Sequence, residues 1–121
     1  MANAKNVVAT IIAVLLALAF LTAGGTKLAG VQMHFEQFAR WGYPSWFVYV
    51  VGLVEVAGAI LVLIPATRFY GAALLAINMA GAAFTHARAH EWSSLPAPMA
   101  LLFLAVIVAW YRRPAAGLRS G

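Results

Sequence analysis

The chain has 121 residues, 64% hydrophobic and only 9% charged, with a net charge of +5 and no cysteine. A soluble domain averages about 45–50% apolar and about 25% charged residues, so this composition excludes a water-soluble globule and points to a bilayer. The missing cysteines exclude disulfides, thiolate nucleophiles and cysteine metal sites within the chain.

Charge is absent from Asn6 to Thr26, and a membrane helix is expected over about 7–27. This run exceeds the apolar core of a cleaved signal peptide, about 7–15 residues, so it is expected to stay as a span. The following segment, AGVQMHFEQFARWGYPSW, is patterned differently. Val31, Phe35 and Phe38 fall on one helical face and Gln32, Glu36 and Arg40 on another. That spacing predicts a short amphipathic helix at the membrane interface, serving as an anchor or as a lid. Trp41, Tyr43 and Trp46 then stand where an aromatic belt is expected.

The second span, about 45–64, contains GLVEVAGAILVLIP, with Glu55 its one charged residue and Pro65 ending the helix. The third, about 69–87, carries Asn78, Thr85 and His86. The fourth, about 95–111, has two prolines near its start and no polar residue before its end. The residues at 115–121 read as a disordered tail. The runs lack the alternation of barrel strands. The fold class is therefore all-α: one four-helix transmembrane domain over 1–114 with an interfacial segment between its first two helices.

Four spans put both termini on one side with Lys5, Arg68, Arg112, Arg113 and Arg119, against Lys27, Arg40 and Arg88 on the other. The positive-inside rule places both termini in the cytoplasm of a bacterial cytoplasmic membrane. Basic residues at span ends are explained by lipid headgroups and topology, and nucleic acid is not an expected partner.

Ionisable groups inside a membrane are expensive and mark function or a partner. Glu55 lies roughly 15 Å below the boundary where its helix enters. Helical side chains lean toward their own N-terminus, so Lys27 and His86 point into the membrane while Glu55 points back toward them. Lys27, Glu55, Asn78 and His86 are the expected ligand-binding residues, and Glu55, His86 and Lys27 the candidates for proton handling. The plainer reading is a buried network that fixes helix register. Gly24, Gly52, Gly58, Ala59 and Ala82 are small enough to let the helices approach closely. His86 and His90 are four apart and His34 lies in the first connection, yet no acidic cluster completes a metal set. No metal is expected.

The stretches FLTAGGTKLAG, FARWGYP, GLVEVAGAILVLIP, TRFYGAALLAINMAGAAFTH and the closing WYRRP run from Phe20 to Pro114. In order and spacing they resemble the DoxX-like family of small four-helix integral membrane proteins. The family's polar positions fall here on Lys27, Glu55 and His86. The resemblance implies quinone-linked sulfur oxidation, membrane assemblies for oxidative stress, or receptor-assembly chaperoning. A shared bundle does not choose among these.

The leading expectation is a membrane subunit that binds a lipophilic small molecule, a quinone, in the Lys/Glu/His layer. No electron carrier is evident in the chain, so electrons would come from a redox partner protein. The competing expectations are a non-catalytic assembly factor or scaffold, a proton-coupled small exporter, and a membrane isomerase using Glu55 as acid. The candidate partners are the lipid bilayer, a redox protein and a second copy of the chain.

Overall fold

In the computed structural model, which describes residues 3–114, five α-helices follow one another. They are α1 (Ala4–Leu28), α2 (Gln32–Arg40), α3 (Trp46–Leu63), α4 (Arg68–Arg88) and α5 (Pro96–Arg112). Short 3-10 turns, Pro65–Thr67 and Trp92–Ser94, precede α4 and α5. There is no strand among the described residues, and the expected tail at 115–121 lies outside them.

Local chemistry sets the boundaries. The Asn3 side chain accepts from the Asn6 amide and caps α1. Pro65 cannot continue α3, and Pro96 opens α5 where its missing N–H costs nothing. Gly30 and Gly42, with φ of +81° and +86°, bracket α2 and let the chain reverse on both sides of it.

By length and hydropathy, α1, α3 and the segment Trp92–Tyr111 are each able to cross a membrane. Helix α4 falls outside that set because Arg68, Asn78, His86 and Arg88 dilute its apolar surface. It has 21 residues, about 31 Å of helix, and it packs alongside both α3 and α5 as the fourth column of the bundle. Packing, more than its own hydropathy, places it there. Leu16, Phe20, Val62, Leu75 and Val108 form the fully buried centre, while Ile11, Leu15, Leu18, Leu53 and Phe103 face outward as lipid-facing side chains should.

Two glycine crossings hold the ring together. A Cβ on Gly24 would lie 2.7 Å from the Gly52 carbonyl oxygen, and one on Gly52 would lie 2.9 Å from Lys27 Cβ. Only glycine lets α1 and α3 touch there. Nearer Pro65, a Cβ on Gly71 of α4 would lie 2.8 Å from the Gly58 carbonyl oxygen of α3.

The Pro65 end is sealed by Arg68, which is 5% exposed instead of reaching for headgroups as its place at a span end suggests. Its Nε donates to the Val62 carbonyl at 2.7 Å and its two terminal nitrogens to Leu63 O and Thr10 Oγ1, both at 3.0 Å. The open carbonyls at the C-terminus of α3 are thereby capped.

Candidate functional site

The Gly24–Gly52 crossing sets Glu55 level with Gly24 and Lys27 level with Gly52, on opposite sides of the contact, and each side chain leans back toward the other. Lys27 is 9% exposed and Glu55 3%. The ammonium lies 2.9 Å from Glu55 Oε1, and Asn78 of α4 donates its Nδ2–H to Oε2 at 2.9 Å. Three helices thus converge on one carboxylate. Its two oxygens are served differently. Oε2 takes the Asn78 amide hydrogen, whereas Oε1, shielded from solvent, is met by the Lys27 ammonium as its counter-charge.

That carboxylate faces a cavity of about 520 Å³ between the four long helices, on the α2 side of the Gly58–Gly71 crossing. Lys27, Glu55 and Asn78 supply its deep polar wall. Phe20, Phe47, Val51, Met79 and Leu101 supply apolar walls. Helix α2 roofs it, turning His34 and Phe38 inward. The roof reading of this helix is therefore supported by its position, and its inward stripe is His34 and Phe38 where the sequence suggested Val31, Phe35 and Phe38. Val31 is instead exposed.

The roof is tied to the end of α4. Tyr43 Oη and Thr85 Oγ1 lie 2.8 Å apart, and Arg88 donates to the Trp41 carbonyl at 3.0 Å. Trp41 Nε1–H reaches both oxygens of Glu91, at 3.1 and 3.2 Å, while His86 Nδ1 lies 2.8 Å from Glu91 Oε1. The His86 ring also meets Trp41 edge-on, with centroids 5.2 Å apart. The hydrogen bond from His86 does most to hold the Glu91 carboxyl below the usual glutamate range, with Trp41 and the His86 and Arg40 charges pulling the same way. On the other side of the roof, Thr26 Oγ1 lies within 3.0 Å of the Thr22 and Ala23 carbonyls and 2.8 Å from His34 Nε2. The hydroxyl thus ties His34 to the last turns of α1. Burial first, then the Lys27 charge, holds His34 below the ordinary histidine value against an opposing pull from Glu55.

The expected cluster is thus rearranged in one place. Lys27, Glu55 and Asn78 meet, while His86 lines the same cavity but has Glu91, not Glu55, as its partner. The reason is the turn after α4, where His90 takes φ 60° and folds Glu91 back beneath His86. His90 itself is exposed and meets Trp92 at a ring distance of 6.0 Å. With His34 bonded to Thr26, the three histidines do not gather, and no group of three His, Asp or Glu able to hold a metal occurs among the described residues. Of the three aromatics expected in the belt, Trp41 and Tyr43 are half-buried and turn to polar partners, while Trp46, 62% exposed, faces out. Sequence reasoning raised His34 only in weighing a metal set, not as a residue of this cavity, and did not raise Glu91 as a site residue. The scarcity of acids, three in all, was the one signal available for Glu91.

Comparison with known proteins gives the bundle a relationship. The model of the DoxX-like family matches residues 11–108, which takes in the glycine crossings, the cavity and its roof. A protein of Bacillus subtilis (strain 168), "Uncharacterized protein YdgD", is 32% identical over 94 residues, 74% of this chain and 82% of that protein. No solved structure matches. With the family model spanning nearly the whole bundle, the chain belongs to the DoxX-like family.

Proposed function

We propose that this DoxX-like membrane protein binds a lipophilic small molecule through a hydroxylated head, a quinol serving a redox or oxidative-stress membrane complex. The observation that carries the reading is the buried Lys27–Glu55–Asn78 cluster, the deep polar wall of a largely apolar cavity. A fully oxidised quinone head offers only acceptors, whereas a quinol hydroxyl can both donate to the Glu55 carboxylate and accept from the Lys27 ammonium beside it. The apolar walls suit the ring, as small-molecule sites combine a greasy pocket with a few placed polar groups.

Glu55 is then placed to take a proton as the head is oxidised, Asn78 holds the carboxylate in position, and Lys27 stabilises the oxygen left behind. Electrons pass to a separate redox protein. In this reading the Pro65 end and both termini face the cytoplasm, and the roofed end faces away from it.

Thermal unfolding of the purified protein with and without a decyl-tailed hydroquinone tests the reading. A ligand at about 100 times its Kd stabilises by about 2.7 kcal/mol, a shift of several degrees. A folded bundle whose unfolding ignores the hydroquinone at every concentration would sink it.

A further inference from the structure

The cavity continues to the flank of the bundle. Ile77 and Phe84 of α4 both line it, yet they are 71% and 65% exposed. Side chains can do both only where the cavity reaches the outside. Gly81 stands between them, also lining and also exposed, and a Cβ added there would meet nothing within 4 Å. These residues follow one another a helical turn apart, on one strip of α4. Phe47 and Val51 of α3 face them across the gap. Toward Pro65 the Gly58–Gly71 crossing clamps α3 to α4, and toward α2 the Tyr43–Thr85 bond bridges above the gap. Between clamp and bridge the two helices are joined on the buried side by the Asn78–Glu55 hydrogen bond, while Ile77, Gly81 and Phe84 stay exposed.

We infer that this gap is a lateral window, and that the ligand is an amphiphile whose aliphatic tail leaves through it into the surrounding lipid while its head reaches Glu55 and Lys27. The inference rests on the hydroxyl-binding reading of the Glu55 site and adds the ligand's class and route. A cavity of about 520 Å³ takes a substituted ring but not a long chain. The chain has no reason to leave lipid, because bilayer hydrocarbon is as apolar as the pocket wall. The roof, held by Trp41, Tyr43 and Glu91, closes the alternative route from water.

The test uses the protein in liposomes and two probes with one head, a hydroquinone carrying a decyl tail and the same hydroquinone carrying a methyl group. Wild type binds both. Gly81→Trp fills the window without touching Glu55: its affinity for the decyl probe falls at least about tenfold, while the methyl probe stays within about twofold. Ile60→Trp, on an exposed part of α3 outside the cavity, changes neither. In the unmodified protein, a decyl probe with a photoreactive group in mid-tail labels Ile77 or Phe84. Labelling at Ala97, an exposed residue of α5 that also lines the cavity, or undiminished decyl binding by a folded Gly81→Trp, overturns the window. Failure of wild type to bind either probe overturns the reading of the Glu55 site itself, and the two failures are thereby told apart.

Discussion

At the Pro65 end of the bundle, Arg68 is buried and each nitrogen of its guanidinium donates to the protein, two to carbonyls of α3 and one to Thr10. At the α2 end, Glu55 is buried just as deeply, but it is held between the Lys27 ammonium and the Asn78 amide in the wall of a cavity. Both charges carry the cost of leaving water. Arg68 is answered by three hydrogen bonds to the fold, Glu55 by one hydrogen bond and one counter-charge at the edge of a cavity. The difference separates a charge that holds helices together from one held ready for something else, and burial alone would not have made the distinction.

The largest effect is expected from Lys27→Met, which strips Glu55 of its counter-charge. Breaking a buried pair from one side costs about 3–5 kcal/mol. Adding Glu55→Gln should return part of that loss, as measured by chemical unfolding in detergent, and strictly additive losses would deny the coupling. Arg68→Met should come next. Its charged hydrogen bonds to the α3 carbonyls are worth about 1.5–3 kcal/mol each before relaxation, so a net loss of about 2–3 kcal/mol is expected. Its ligand affinity should match wild type, and a fall in affinity would erase the contrast between the two ends. Gly24→Ala should cost about 1–3 kcal/mol, because its methyl group would meet the Gly52 carbonyl and push Lys27 away from Glu55.

The smallest effect concerns the roof. Glu91 is held below its ordinary value near 4.5 in the folded protein. A depressed carboxylate contributes stability that is complete above the ordinary value and is lost as pH falls through the lower folded one. The Trp41–Glu91–His86 contacts should therefore loosen only in that acidic window. A Trp41 fluorescence change there should vanish in Glu91→Gln. A profile that survives the substitution would assign the transition to another group.

The bundle was largely legible because charge is so scarce: gaps between charged residues mark α1, α3 and α5 directly. Glu55 and Lys27 were legible for the same reason, with helix rise and side-chain lean supplying their depth. What periodicity could not supply was the path of the turns. His86 was assigned to the Glu55 layer by depth alone, and the left-handed His90 that delivers Glu91 to it leaves no mark in hydropathy. Trp41 and Tyr43 were read as belt residues because aromatics near span ends usually are, but each found a polar partner from the α4 end. Arg68 was counted as a surface charge because a residue at a helix start gives no sign that the carbonyls of the preceding helix will fold over it.

The central claim, that Glu55 is held in the cavity wall for a ligand, is tested most directly by hydroquinone binding to Glu55→Gln measured alongside its unfolding. Glutamine keeps the size and can still accept from Asn78, but it removes the charged acceptor that a ligand hydroxyl would meet. The account predicts a bundle that remains folded and binds the hydroquinone at least about tenfold more weakly, as expected for losing a hydrogen bond to a charged group. A folded Glu55→Gln protein with wild-type affinity would contradict it.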